Sequence, residues 1–198
     1  MELNNARFRY AKANAPKTDV GMNFKDMLFT NLNIDGRDFV VSGDTIALSI
    51  NCMSFNEQSG LRIDKFRSYF SICNKSMNFN KLRIVSDCTS LSLSDLKLSY
   101  DGYDKLSYFT QNVIINANFT GTSVNSDFIA YFSPALLGYN IQLGINGAVT
   151  GRINELRGRK LDITHGNNTF ISADISLSGL PDINETLINA DFKSLSTS

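Results

Sequence analysis

The chain of 198 residues contains few side chains whose type and spacing could support catalysis. Its single histidine, His165, stands before a Gly-Asn-Asn segment, so a second histidine for proton relay is lacking. No serine or cysteine occupies a Gly-x-Ser-x-Gly turn. Asp182 and Glu185 lie in a loop beside Pro181, whereas acid–base catalysis needs carboxylates held at a defined separation in a cleft. We therefore expect that the protein is not an enzyme.

The metal-ligating residue types do not form a site either, and no cofactor is expected. Cys52, Cys73 and Cys88 show no Cys-x-x-Cys spacing, and one histidine cannot complete a zinc site. Cys52 continues the apolar alternation of Ile46, Leu48 and Ile50, so we expect the cysteines to be buried as small apolar residues. One disulfide with a spare thiol is the alternative in an oxidising compartment.

The segment 31–36, Asn-Leu-Asn-Ile-Asp-Gly, resembles the first half of a calcium loop. Ser42 stands at the position where such a loop requires a bidentate glutamate. Leu32 and Ile34 alternate with polar residues as in a strand, and Asp-Gly is a frequent turn sequence. We therefore predict a strand that ends in a turn at residues 35–36, without bound metal.

The charges are balanced, with 19 basic and 19 acidic residues, so no global field attracts nucleic acid. The segment 152–160 contains three arginines and a lysine, but Glu155 and Asp162 accompany them. We interpret it as a solvated hairpin loop, with contact to a phosphate headgroup as the alternative. No apolar run is long enough for a membrane-spanning helix.

Most of the chain alternates apolar and polar residues with a period of two, which is typical of half-buried strands. In the segment 170–195, Ile171, Ile175 and Leu177 alternate with serine and aspartate, and the alternation resumes at residues 188–192 after a Gly-Leu-Pro corner. Units of this kind recur along the chain. The alternation shifts by one residue at positions 94–95, which predicts a β-bulge or a corner there.

Two segments depart from this pattern. Residues 126–132 follow an N-cap-like Asn-Ser-Asp sequence and end before Pro134, so we predict a helix of one or two turns. A second short helix is expected over residues 103–110. The remaining pattern predicts an all-β fold for residues 1–198, organised as one elongated domain. Its apolar face must either be covered by a second layer, as in a sandwich, or hold something apolar.

Five segments resemble, in the same order, motifs of the TamB/AsmA-like (translocation and assembly module) envelope proteins of the Bacteroidota. Met53-Ser-Phe-Asn-Glu-Gln-Ser-Gly-Leu61 is similar to the family's "lSFkEkSGf" segment, and 96–101 to the strand after it. Residues 127–136 resemble "dIaYFaPeL", 147–161 resemble "GkvsGtvnnLkgknL", and 170–195 resemble the "GLPdieeTf" unit. The chain departs from the family at Leu137-Gly-Tyr and in its three cysteines.

The resemblance implies a mostly antiparallel, twisted sheet folded lengthwise into a trough (a β-taco) with an apolar interior. It further implies a periplasmic protein, anchored in the inner membrane, of which this chain is an internal segment of a much longer polypeptide. The family is implicated in moving phospholipid between the membranes and in outer-membrane biogenesis beside a BamA-type barrel protein. That barrel partner would bind other parts of the full-length chain.

On this basis we expect the apolar strand faces to bind phospholipid acyl chains. Each methylene removed from water contributes roughly 0.8 kcal/mol, and non-directional contacts let a lipid slide. A scaffold for the assembly or secretion of outer-membrane barrel proteins is the alternative function. The residues predicted to form the lipid strip are Ile46, Leu48, Ile50, Leu91, Leu93, Val113, Ile115, Leu143, Ile145, Val149, Ile171, Ile175, Leu177 and Phe192.

Overall fold

The structure, a computed structural model, describes residues 1–13, 18, 20–166, 168–182 and 184–197, except for the side chain of Ala135. Eleven strands form one antiparallel sheet in which every strand pairs with those next to it in sequence. The strands are β1 (Glu2–Ala11), β2 (Asp26–Ser42), β3 (Thr45–Glu57), β4 (Arg62–Cys73), β5 (Ser76–Ser86), β6 (Thr89–Ser99), β7 (Ile114–Asn125), β8 (Gln142–Arg152), β9 (Glu155–His165), β10 (Thr169–Ser178) and β11 (Leu187–Ser196).

The predicted all-β fold with short helices is confirmed. A 3₁₀ helix (Tyr103–Tyr108) and α1 (Phe109–Asn112) connect β6 to β7, and α2 (Ser126–Ala130) and a second 3₁₀ helix (Pro134–Leu136) connect β7 to β8. The side chain of Asn125 caps α2 by accepting the N–H of Asp127 at 2.9 Å. None of the helices in the described part of the chain has the length and apolar character needed to cross a bilayer.

The pairing of β10 with β11 shows how the alternation builds the sheet. Leu177 lies opposite Ile188, Ile175 opposite Ala190, and Ala173 opposite Phe192. Residues that face each other across two antiparallel strands share one face of the sheet. The apolar positions on either side of the Gly-Leu-Pro corner therefore meet, as the sequence predicted. Ile183 in the connecting loop lies outside the described residues.

A row of β-bulges crosses the sheet. Nine of the ten strand pairs, all except β5–β6, contain register shifts. The predicted shift in β6 is present, because Leu93 pairs with Phe119 whereas Asp95 pairs with Asn118, and Ser94 is left over. Shifts on neighbouring strands adjoin one another. We call this row the crease and define it by Ser68, Lys81, Ser94, Gly121, Gly147, Lys160 and Lys193.

A bulge bends its strand and increases the local twist, so an aligned row of bulges bends the sheet along one line. Left-handed backbone torsions occur at the crease, with φ of 53° at Lys81, 117° at Gly147 and 48° at Lys160. The crease crosses the strands, and ten spacings of about 4.8 Å give the sheet a length of roughly 48 Å in that direction. The bend thus runs along the long dimension of the sheet, as in a trough.

The buried apolar residues lie in three places. Along the crease they belong to the sheet alone, with Leu82 and Leu93 each 3% exposed and Ala173 fully buried. Near α2 they include Leu61 and Val124, and near the first 3₁₀ helix they include Tyr100. The side chains that pack around Leu82 and Leu93 come from the same sheet on both sides of the crease, for example Phe79 and Ile84.

One prediction about the N-terminal strands is wrong. The chain does not turn at Asp35-Gly36, because β2 passes through both residues, and its turn to β3 comes at residues 43–44. Gly36 is buried, and a Cβ added there would lie 3.1 Å from Leu48 Cδ1. This glycine therefore allows a close approach between strands instead of a turn.

The cysteines are not buried as predicted. Cys52 and Cys88 are exposed, Cys73 is half-buried, and all three are free thiols. The register of β3 against β4 shifts between Ile50 and Met53. That shift returns Met53 to the apolar face and sends Cys52 to the polar one. Cys88 lies in the turn between β5 and β6.

Candidate functional site

The apolar face of the sheet is the candidate site, and the strand register shows how its side chains meet. Across five neighbouring strands, β3 to β7, one row consists of Ile46, Ile72, Met77, Leu98 and Ile115. Side chains in such pairs stand about 5 Å apart, close enough for continuous van der Waals contact. The strands thus form a continuous apolar surface instead of separate apolar patches.

A second row next to it consists of Leu48, Phe70, Phe79 and Leu96. The rings of Phe70 and Phe79 lie 5.1 Å apart between centroids. Beyond the crease the surface continues with Leu82, Leu93 and Phe119, which pack in one cluster with two residues of the second row, Phe79 and Leu96. The bulges shift the alternation in each strand, and so they keep the apolar residues on one face on both sides of the crease.

Most of the predicted strip lies on this face. Every predicted strip residue except Val113 lies in a strand, at a position that the register assigns to the apolar face. Val113 lies outside the strands, directly before β7. It ends α1, with its N–H bonded to the Phe109 carbonyl at 3.2 Å, and its side chain is fully buried. Ile50 and Leu93 belong to the face but are themselves buried, 9% and 3% exposed.

Several members of the face were not predicted from the sequence. The clearest are aromatic residues in β4 and β5, namely Phe66, Phe70 and Phe79. The bulge at Lys81 interrupts the alternation in β5, so a single phase does not fit that strand. A one-residue slip between the segments 77–79 and 82–84 would have indicated Phe79. The other members that were missed are Met53, Ile72, Met77, Leu82, Ile84, Leu96, Leu98, Phe119, Leu161, Ile163, Ile188 and Leu195.

Exposure on the face rises away from the crease and toward the outer strands. In the middle of the sheet Phe79, Leu96 and Ile115 are half-buried. In β11, Phe192 is 58% exposed and Ile188 is 67% exposed. The cluster of buried apolar residues comes from neighbouring strands, and the strands contact mainly those next to them in sequence. Within the described chain, the apolar face is therefore left without a second layer of sheet.

Helical segments occupy the strand ends at the two sides of the face. At one side the connection before β2 meets the end of α2, where the Met22 N–H donates to the Tyr131 carbonyl at 2.7 Å and Phe24 stacks on Phe132. A cavity of about 810 Å³ lies there, with a mixed polar and apolar lining that includes Asp26, Gln58 and Leu137. None of the predicted strip residues lines it.

The polar face carries exposed ion pairs. In one of them Arg9 lies 3.0 Å from Asp26 and lowers the pKa of that aspartate through hydrogen bonding and charge. His165 ends β9 and its Nδ1 lies 2.9 Å from the Gln142 carbonyl oxygen. Among the described residues, no group of three histidine, cysteine, aspartate or glutamate side chains could hold a metal ion.

Comparison with known proteins adds no second source for these assignments. No family model, no curated protein and no solved structure matches the chain.

Proposed function

We propose that this chain is a segment of a periplasmic bridge-like protein along which phospholipids move between the inner and outer membranes. The observation that carries the proposal is an apolar face with no second layer of sheet over it in the described chain. It runs from strand to strand across the whole sheet. Acyl chains would lie on this face, while headgroups remain in water at its rim. The sequence motifs shared with TamB/AsmA-like proteins support the same reading.

The chemistry of the apolar face fits such a ligand. The half-buried residues of the two central rows are aliphatic or aromatic, so they offer contact without directional bonds. A lipid held only by such contacts gains roughly 0.8 kcal/mol for each buried methylene and meets no polar group that would fix its position. Anchoring in the inner membrane and binding to a BamA-type barrel would depend on other parts of the full-length chain.

A photocrosslinking experiment tests the proposal on adjacent residues of one strand. Leu98 belongs to the apolar face, and Lys97, its neighbour in β6, points to the other face. We place a photoreactive phenylalanine analogue at either position in the full-length protein in cells. We expect crosslinks to phospholipid from position 98 and none from position 97. Equal crosslinking at both positions, or none at either, contradicts the proposal.

The open edges of the sheet favour a second candidate function, a scaffold for outer-membrane barrel precursors. β1 and β11 each have only one partner strand in the described structure, and β11 carries exposed Leu187 and Leu195. An unpaired edge can add a strand from a client protein. A proline in β11 would then abolish client crosslinks, whereas a glutamate at Ile145 on the apolar face would leave them intact. The lipid-bridge proposal expects the glutamate to be the more harmful change.

A further inference from the structure

We propose that the polar face carries a second site, at the crease, that binds a phosphate-bearing anion. Arg67 in β4 and Arg83 in β5 lie directly opposite each other across the two strands. Both face away from the apolar surface, since their neighbours Phe66 and Ile84 pack against the core cluster. Lys81 lies at the bulge of β5 next to this pair, over the Tyr69 ring, with its Nζ 5.7 Å from the ring centroid.

Two like charges directly opposite each other destabilise an antiparallel pair. Neither arginine forms an ion pair or a side-chain hydrogen bond within the described residues. Four arginines elsewhere on the surface are paired with carboxylates, as Arg62 is with Asp64 at 2.6 Å in the same strand. An anion held between the guanidinium groups of Arg67 and Arg83 would offset the repulsion between them.

The space for such an anion is present. A pocket of about 300 Å³ lies over the crease and is lined by the three cationic residues, together with hydroxyl and amide side chains such as Asn51 and Ser94. Three carboxylates hydrogen-bond residues of this lining but do not line the pocket themselves. Asp35 accepts the Asn51 amide at 3.3 Å, Asp38 accepts the Ser49 hydroxyl at 3.1 Å, and Asp95 accepts the Ser94 hydroxyl at 2.8 Å.

Phosphate fits the donor set better than a carboxylate does. Two planar guanidinium groups and one ammonium present many N–H donors around one point, and arginine binds phosphate oxygens in a bidentate manner. The bulge explains why Arg67, Lys81 and Arg83 line one pocket, because two residues of β5, 81 and 82, oppose one residue of β4. The site lies on the face opposite the apolar strip, so its ligand is not the headgroup of a lipid whose tails lie in that strip.

The test measures anion binding to the whole chain at constant ionic strength. Chloride is replaced by inorganic phosphate, and the arginine Nε–Hε signals are followed by NMR. We expect saturable shifts in the wild-type protein, a loss of affinity of about tenfold or more in the double variant R67Q/R83Q, and no loss in R62Q. R62Q is the control because it removes one arginine charge from β4, the strand of Arg67, at a position outside the pocket.

A second arm identifies the source of the phosphate. The protein is floated with phosphatidylcholine vesicles with and without phosphatidylglycerol. Flotation that needs phosphatidylglycerol and is lost in R67Q/R83Q assigns the site to an anionic membrane headgroup, whereas saturable phosphate binding without flotation assigns it to a soluble phosphate compound. A linear phosphate titration without flotation overturns the proposal, as does an equal loss in R62Q. Urea unfolding checks the fold, and the single variant R83Q replaces the double variant if the latter is unfolded.

Discussion

The carboxylate of Asp174 in β10 accepts the backbone N–H of Lys160 in β9 at 2.6 Å. This bond lies at the crease, where Lys160 is the extra residue of a bulge and has no paired residue in β10. The other oxygen of Asp174 binds Lys193 Nζ at 2.9 Å, at the bulge of β11. One side chain thus holds the bulged residues of both neighbouring strands.

We expect the variant Asp174→Asn to unfold at a lower urea concentration than the wild type at pH 7. The backbone N–H of Lys160, and then the ammonium of Lys193, lower the pKa of the Asp174 carboxyl. Because the pKa is lower in the folded state, the contribution is complete above the ordinary value of about 4 and is lost as the pH falls through the folded-state pKa. The difference between variant and wild type should therefore shrink below about pH 4.

The control for this experiment is Asp191→Asn, because Asp191 lies directly opposite Asp174 in β11 and makes neither of the two bonds. Its midpoint at pH 7 should not fall. A difference between Asp174→Asn and wild type that stays constant from pH 7 to pH 3 would show that the charge of Asp174 is not what holds the crease.

A second polar contact holds β6 to β7 next to the crease. The hydroxyl of Thr122 accepts the Ser92 N–H at 3.0 Å and donates to the Ser92 carbonyl at 2.8 Å, and Thr122 is only 3% exposed. Thr122→Val keeps the shape but leaves the Ser92 N–H without a partner, and the Ser92 carbonyl keeps only the longer bond from Thr120, at 3.5 Å. We expect a loss of about 1–3 kcal/mol in the free energy of unfolding. Thr120→Val, at an exposed position, should cost less; equal losses would contradict this role.

Packing at the floor of the trough gives a larger expected effect. Leu93 is 3% exposed and belongs to the cluster with Leu82 and Ala117, so Leu93→Ala should cost about 2–5 kcal/mol. Ile188→Ala on the same face should cost well under about 1 kcal/mol, because that side chain is 67% exposed. Urea unfolding of both variants measures the contrast. Similar losses would mean that β11 is covered by another part of the protein.

The sequence predicted the strands and the apolar face better than it predicted the bulges. Alternation with a period of two fixes which residues share a face as long as the strand is regular, as in β10. A bulge adds one residue and exchanges the faces beyond it. Where the slip was visible, at residues 94–95, the bulge was predicted. At Lys81 and between Ile50 and Met53 it was missed, because polar residues at a bulge look the same as polar residues on a strand.

The turn predicted at Asp35-Gly36 failed for a different reason. Asp-Gly favours turns because glycine adopts left-handed torsions easily, but a glycine also fits where two strands lie too close for a side chain. At Gly36 the side chain of Leu48 fills that space. Local sequence cannot separate the two uses, since the difference lies in a residue of the next strand.

The face on which Cys52 lies gives a direct test of the bulge in β3. If the strand kept its phase, Cys52 would lie on the apolar face with Ile50; with the bulge it is exposed on the polar face. We expect Cys52 to react with a maleimide reagent in the native protein at a rate close to that in urea, measured by mass spectrometry in the variant C73S/C88S. Protection by a large factor in the native state would place Cys52 on the apolar face and remove the bulge.

The last prediction concerns the glycines that the crease requires. Gly147 has a φ of 117°, and a Cβ there would lie against the carbonyl oxygen of Lys160, well inside van der Waals contact. Gly121, also at the crease, has a φ of 65° and open space where a Cβ would lie. Gly121→Ala should therefore cost only the backbone strain of about 1–2 kcal/mol. Gly147→Ala should cost more, because β8 and β9 must also move apart. Equal losses in urea unfolding would mean that the two strands are not held this closely at the crease.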